Sequence, residues 1–81
     1  MTRNELEFSI FCIENLAERL DVGGEVVYRL LTRNNGKGSL LDAYIVPNYA
    51  ALHSQGKEYI VNDLIEIMKR ENLLNKEGLP E

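Results

Sequence analysis

The sequence predicts an all-α fold, a compact bundle of four to five short helices in a single domain. Apolar residues recur at spacings of three and four in several segments, which is typical of amphipathic helices. No segment shows the alternation expected of a half-buried strand. A length of 81 residues corresponds to one domain. We expect this domain to occupy residues 1–81, with an ordered core over about 4–74 and a frayed tail over 75–81.

The first helix is predicted over about 5–20, with Asn4 and Glu7 as a capping pair. Two apolar stripes run along it. The main stripe, which is expected to face the interior, consists of Leu6, Ile10, Ile13, Ala17 and Leu20. The second stripe consists of Phe8, Phe11, Cys12 and Asn15. A helix that is apolar on two sides must be covered, either because it is central in the bundle or because the second stripe binds a partner or another copy of the chain.

Two shorter helices are predicted in the middle of the chain. The first spans about 24–32, and its inward residues are Val26, Val27, Leu30 and Leu31. The asparagines and glycines of 34–38 are typical of a turn. Ser39 is expected to cap the next helix, over 40–45, with Asp42 in the capping-box position and Pro47 ending it.

The last helix has the clearest pattern. Counted from Lys57 at about 100° per residue, one arc contains Ile60, Val61, Leu64, Ile65, Ile67 and Met68. Two interpretations of its start remain open. A chain break around 54–56 makes Asn48 the cap of a short helix on which Tyr49 and His53 share a face. A helix that instead begins near Asn48 and continues through Gly56 places the same two side chains at the edge of the core.

The stretch LHSQGKEYIVNDLIEIM, with YIVPNY upstream and EFSIFCIENLAERL near the start, resembles a small bacterial family known as domain of unknown function 3791. The family's most recognisable feature matches Leu52, His53, Gln55 and Asp63, with Ser54 where a threonine is usual. The resemblance covers residues from about 6 to 68. It implies a partner-binding role, because related genes lie near or are fused to other small bacterial domains, but it implies no particular activity.

His53 is the only histidine in the chain. It either holds the start of a helix together by bonding to exposed backbone groups, or it contacts a ligand or partner. A single histidine leaves few ways to assemble a catalytic base and its orienting group, so we do not expect an enzyme. One cysteine and one histidine are too few for a structural zinc site in a monomer, so neither a metal nor a cofactor is expected.

Composition points to the cytoplasm. The lone Cys12 cannot form an internal disulfide, which favours a reducing compartment. No apolar run approaches the roughly 20 residues that span a bilayer, so no membrane partner is expected.

The favoured hypothesis is a non-catalytic protein-interaction module of the bacterial cytoplasm that associates with itself or with a partner protein. The candidate contact residues are Phe8, Phe11, Cys12, Tyr49, His53, Gln55 and Tyr59. The alternative is a nucleic-acid-binding regulator with a helix-turn-helix-like segment around 20–33, in which Arg29, Arg33 and Lys37 contact phosphates. The net charge of −4 disfavours this alternative.

Overall fold

The computed structural model describes residues 1–34, 36 and 38–81, and it confirms the all-α fold. The helical elements are α1 (Arg3–Leu20), α2 (Gly24–Thr32), a π-helical turn (Leu41–Ile45), α3 (Tyr49–Leu52) and α4 (Lys57–Arg70). Helices α2 and α4 both pack against α1, which is therefore the central helix of the bundle. Within the described ranges, no helix is long and apolar enough to cross a bilayer.

Helix α1 begins earlier than predicted because its N-cap is Thr2. The Thr2 hydroxyl accepts a hydrogen bond from the Glu5 amide at 3.1 Å, and the Glu5 carboxylate accepts one from the Thr2 amide at 2.8 Å. These two bonds form a capping box. The prediction that Asn4 and Glu7 cap the helix is therefore wrong, and Glu7 instead pairs with Arg3 at 3.2 Å.

The side of α1 that faces the core differs from the predicted one. Its buried residues are Phe8, Ser9, Cys12 and Leu16. Leu6 and Ile10 were expected inside, but they are 50% and 47% exposed, so this prediction is wrong. The rest of the predicted stripe is partly buried and consists of Ile13, Ala17 and Leu20. The buried side is the one that receives Tyr49 from α3, whose ring packs edge-on against Phe8.

Ser39 caps the helical turn that follows it, as predicted. Its hydroxyl accepts a hydrogen bond from the Asp42 amide at 3.1 Å and donates one to the Asp42 carboxylate at 3.3 Å. The turn itself is π-helical rather than α-helical, because the Val46 amide donates to the Leu41 carbonyl five residues earlier, at 3.0 Å. Such wide turns are rare and occur frequently at functional sites.

The chain breaks between α3 and α4, which agrees with the first of the two interpretations. Gly56 is extended, with φ −72° and ψ 158°, and is the N-cap of α4. Asn48 precedes the short helix α3, but its side chain does not cap that helix. It donates instead to the Tyr44 carbonyl at 2.8 Å, so the predicted capping role of Asn48 is wrong.

Helices α2 and α4 also contribute buried side chains to the core. Helix α2 buries Val27, Leu30 and Leu31, with Val26 partly buried. Helix α4 buries its predicted arc, Ile60, Val61, Leu64, Ile67 and Met68, with Ile65 partly buried. Segment 75–81, which we expected to fray, forms a turn in which the Asn75 side chain accepts from the Glu77 and Leu79 amides at 2.9 and 3.0 Å.

Candidate functional site

Four ring-bearing side chains from α1 and the α3 region form a continuous series, here called the aromatic row: Phe11, Phe8, Tyr49 and His53. The Phe11 and Phe8 rings are nearly parallel, with centroids 6.1 Å apart. Phe8 meets Tyr49 edge to face at 5.5 Å, and Tyr49 stacks on His53 at 4.4 Å. Stacked and edge-to-face arrangements at these distances are favourable for aromatic rings. The aromatic row therefore joins two regions that are far apart in the sequence, α1 and the α3 region.

Accessibility is highest at the ends of the aromatic row. Phe8 in the middle is only 8% exposed, whereas Phe11 at one end is 36% exposed. His53 at the other end is exposed, and Tyr49 is half-buried between them. A partner that approaches the folded chain can contact the two ends, but it cannot reach the face of Phe8.

The imidazole of His53 closes the carboxyl end of α3. Its Nδ1 lies 2.8 Å from the Tyr49 carbonyl, which also accepts from the His53 amide at 2.9 Å. Because a carbonyl only accepts, Nδ1 carries the hydrogen and Nε2 of the neutral ring is left as an acceptor. The Ser54 hydroxyl donates to the Ala51 carbonyl at 3.0 Å in a similar way. One interpretation placed His53 at the start of a helix; its ring instead adds a second hydrogen bond to a carbonyl, at the end of α3.

The side of α1 that points away from the core, here called the outer face, combines apolar and acidic side chains. Its apolar members are Leu6, Ile10 and Phe11. Its acidic members are Glu7, Glu14 and Glu18, all exposed. At about 100° per residue, all six fall within an arc of about 140°. The sequence alone does not identify Leu6 and Ile10 as surface residues, because their spacing is also that of a buried stripe.

Two of the predicted contact residues lie in the core. Phe8 and Cys12 are unavailable to a partner in the folded chain, and burial raises the pKa of the Cys12 thiol to about 12. The thiol is therefore protonated and unreactive near neutral pH. Gln55 is exposed in the turn before α4.

Tyr59 belongs to a different neighbourhood from the aromatic row. It is 56% exposed and lies on α4 one turn before Asp63, whose carboxylate accepts a hydrogen bond from the Tyr44 hydroxyl at 2.6 Å. This hydrogen bond, followed by desolvation and the charge of Asp63, raises the pKa of Tyr44 to about 12. The bond ties the π-helical turn to α4, and it gives Asp63 of the family-like motif a structural role.

The basic residues proposed for nucleic-acid binding are placed as follows. Arg29 is exposed on α2, while Arg33 lines a groove together with Arg70 from the end of α4. Lys37 lies outside the described residues. The first turn of α2 carries Glu25. In the described part of the chain, no three His, Cys, Asp or Glu side chains are grouped so that they could hold a metal ion.

These features define an all-helical domain whose central helix, α1, carries exposed apolar side chains on its outer face. The chain belongs to the family described as "Protein of unknown function (DUF3791)", which matches residues 7–71 and confirms the resemblance noted from the sequence. No curated protein and no solved structure matches the chain.

Proposed function

We propose that the chain is a non-catalytic protein-interaction module of the bacterial cytoplasm, and that it binds its partner through the outer face of α1. The observation that carries this proposal is the exposure of Leu6 and Ile10, at 50% and 47%, one turn apart on the central helix. Phe11 extends the apolar surface. Removing such side chains from water contributes about 25 cal/mol per Å² of apolar area, so a partner that covers them gains binding free energy.

The outer face is organised before any partner arrives. The capping box at Thr2 and Glu5 holds the first turn of α1 in helical conformation. Stacking on Phe8 supports the ring of Phe11 from the core side. A surface that is already ordered loses little conformational entropy on binding, which favours affinity.

The charges of the outer face favour a partner that differs from the chain itself. Glu14 and Glu18 are four residues apart on α1, and neither forms an ion pair within the described residues. Like charges at this spacing repel each other. A second copy that presents the same face adds further repulsion, whereas a segment with Lys or Arg beside apolar residues complements it. We therefore propose a basic, amphipathic partner segment.

The same charges count against the nucleic-acid alternative. In a helix-turn-helix domain, the amino-terminal residues of the second helix approach the bases. Here the first turn of α2 carries Glu25, and the basic residue of that helix, Arg29, is in its last turn. The carboxylates of the outer face would repel phosphates as well. A catalytic role has little support either, because Nδ1 of His53 is bonded to a main-chain carbonyl.

Affinity capture with matched surface variants tests the proposal. The tagged wild-type chain is compared with Leu6→Ser/Ile10→Ser, and with the control Tyr28→Ser/Leu79→Ser, whose side chains are 54% and 53% exposed outside α1. Each protein is incubated with nuclease-treated lysate of the source cells. We expect the wild type and the control to retain a stoichiometric protein that the Leu6/Ile10 variant loses, while circular dichroism shows all three folded.

Two results would contradict the proposal. One is a partner that the Leu6/Ile10 variant retains as well as the control does. The other is recovery of nucleic acid alone from lysate without nuclease, with an affinity that falls steeply as salt is raised. Sedimentation of the purified chain tests self-association separately, and we expect a monomer.

A further inference from the structure

A groove of about 440 Å³ opens between the segment after α2, the π-helical turn and the end of α4. Its volume lies within the range of about 300–1,000 Å³ that is typical of small-molecule sites. Its apolar lining includes Leu40, Ile67 and Leu73, which are all buried. The groove is separate from the outer face, since it contains no residue of α1.

Two arginines line the groove without a side-chain carboxylate partner among the described residues. Among the described residues neither arginine forms an ion pair with a side chain, and the polar contact of Arg33 is a 3.5 Å approach to the main-chain oxygen of Glu81. Among the described residues of the lining, Glu71 is the one acidic side chain, against the two guanidinium groups. The chain has more acidic than basic residues, 13 against 9, so a shortage of acids does not explain the unpaired arginines.

The position of Arg70 at the end of α4 can be attributed to the helix dipole, which favours cations there. The same attraction acts on Arg33, which is the C-cap of α2, but it does not explain why both arginines line one groove. Two guanidinium groups from elements far apart in the sequence therefore converge on one concavity. Guanidinium groups are suited to carboxylate and phosphate, because their planar N–H donors can bind two oxygens at once.

Tyr44 contributes a fixed wall to the groove. Its hydroxyl is already bonded to Asp63 at 2.6 Å, so the residue adds its ring rather than a free hydrogen-bonding group. The groove thus has cations on its lining beside an aromatic ring and buried aliphatic side chains, which is the composition of a site for an anion that has an apolar body.

We propose that this groove binds a small organic anion, a carboxylate or phosphate monoester joined to an apolar body of about the size of a phenyl ring. Arg33 and Arg70 bind the anionic group, and Leu40, Ile67 and Leu73 contact the apolar body. The proposal does not depend on the interaction module, because the two surfaces share no residue.

The test is a titration of the ¹⁵N-labelled chain, followed by amide chemical shifts. The probes are phenyl phosphate and phenylacetate, with inorganic phosphate as the charge-only control and benzyl alcohol as the neutral control. We expect saturable shifts at the amides of Leu40, Tyr44 and Leu73 with at least one aromatic anion. Whichever of the two binds more tightly identifies the anionic group as phosphate or carboxylate.

Charge-matched variants locate the site. Because Arg33 and Arg70 are both exposed, Arg33→Gln/Arg70→Gln is expected to fold, and we expect it to weaken binding at least about tenfold. The control Arg29→Gln/Lys76→Gln removes the same charge outside the groove and is expected to change affinity less than about twofold, since surface charges act weakly at a distance in salt.

Three results would overturn the proposal. The first is no saturable shift with either aromatic anion, and the second is equal binding by both double variants. In the third, benzyl alcohol or inorganic phosphate binds as tightly as the aromatic anions, which would mean that one of the two recognition elements is absent. Thermal melts of both variants establish that lost binding does not reflect unfolding.

Discussion

The two sides of α1 that carry large apolar residues differ in burial. The inner side carries Phe8, Cys12 and Leu16 and is buried, with Tyr49 of α3 packed against Phe8. The outer face carries Leu6 and Ile10, which remain about half exposed. Helical spacing therefore determines which residues share a side, but the elements that pack against the helix determine which side is buried. Exposed apolar patches of this kind mark interaction sites, so the outer face is where we expect a partner to bind.

The largest difference in stability is expected when leucine is replaced by alanine on the inner side of α1 and, separately, on the outer face. Leu16→Ala removes a fully buried side chain and should lower the free energy of unfolding by about 2–5 kcal/mol. Leu6→Ala makes the same chemical change at a half-exposed position and should cost less than about 1 kcal/mol. Urea unfolding of both variants and the wild type measures the difference. Equal losses would mean that the two sides are equally buried.

Cys12 gives the inner side a distinct dependence on pH. Burial raises the pKa of its thiol from 9.0 to about 12, so the unfolded chain loses this proton before the folded chain does. The stability that the protonated Cys12 thiol gives the folded chain is therefore fully present below pH 9, and it is lost as pH rises towards 12. Between pH 8 and pH 10, the free energy of unfolding of the wild type should fall by about 1.4 kcal/mol more than that of Cys12→Ala.

Urea titrations of the two proteins at pH 8 and pH 10 provide the measurement. The titration of Tyr44 acts in the same direction but is common to both proteins, so it cancels in the comparison. Identical pH dependence in wild type and variant would show that the thiol is not buried.

His53 supports the inner side from the end of the aromatic row. His53→Ala removes the bond to the Tyr49 carbonyl and the stacking on the Tyr49 ring. We expect a loss of about 1 kcal/mol, which corresponds to a fall of about 4–8 °C in Tm for a domain of this size. Gln55→Ala, two residues away in the same exposed turn, is the control and should melt like the wild type. If the two variants melt alike, His53 has no structural role.

The smallest effect is expected on the outer face. Glu14→Gln relieves the repulsion between Glu14 and Glu18 and should raise the stability of the chain by about 0.2–0.5 kcal/mol. The same change should weaken capture of a basic partner, because a complementary charge is removed. Thermal melts and capture from lysate measure the two effects. A destabilised variant would indicate that Glu14 has a stabilising partner within the chain.

The sequence predicted the buried side of a helix correctly where its apolar residues defined only one side. Helix α4 has a single apolar arc, and the core residues from Ile60 to Met68 follow it. Helix α1 has two stripes, and the side that is buried depends on the packing of α2, α4 and Tyr49, which lie later in the sequence. Its cap was misplaced for a similar reason: Thr2 with Glu5 and Asn4 with Glu7 both have the capping-box spacing.

The candidate sites were predicted only in part, because they combine distant segments. Tyr49 and His53 are four residues apart, and helical spacing was enough to predict that they share a side. The contact of Phe8 with Tyr49 joins α1 to α3, and no local pattern indicates it. The convergence of Arg33 and Arg70 on one groove likewise depends on the tertiary fold, which brings the ends of α2 and α4 to the same groove.

Carbene footprinting of the chain, free and in the complex recovered from its source cells, tests the role of the outer face most directly. The label reacts with accessible side chains, and mass spectrometry reports its yield at each residue. We predict that labelling of Leu6, Ile10 and Phe11 falls several-fold in the complex while labelling of Tyr28 and Leu79 is unchanged. Protection at Tyr28 or Leu79, with Leu6 and Ile10 labelled as strongly as in the free chain, would contradict the account.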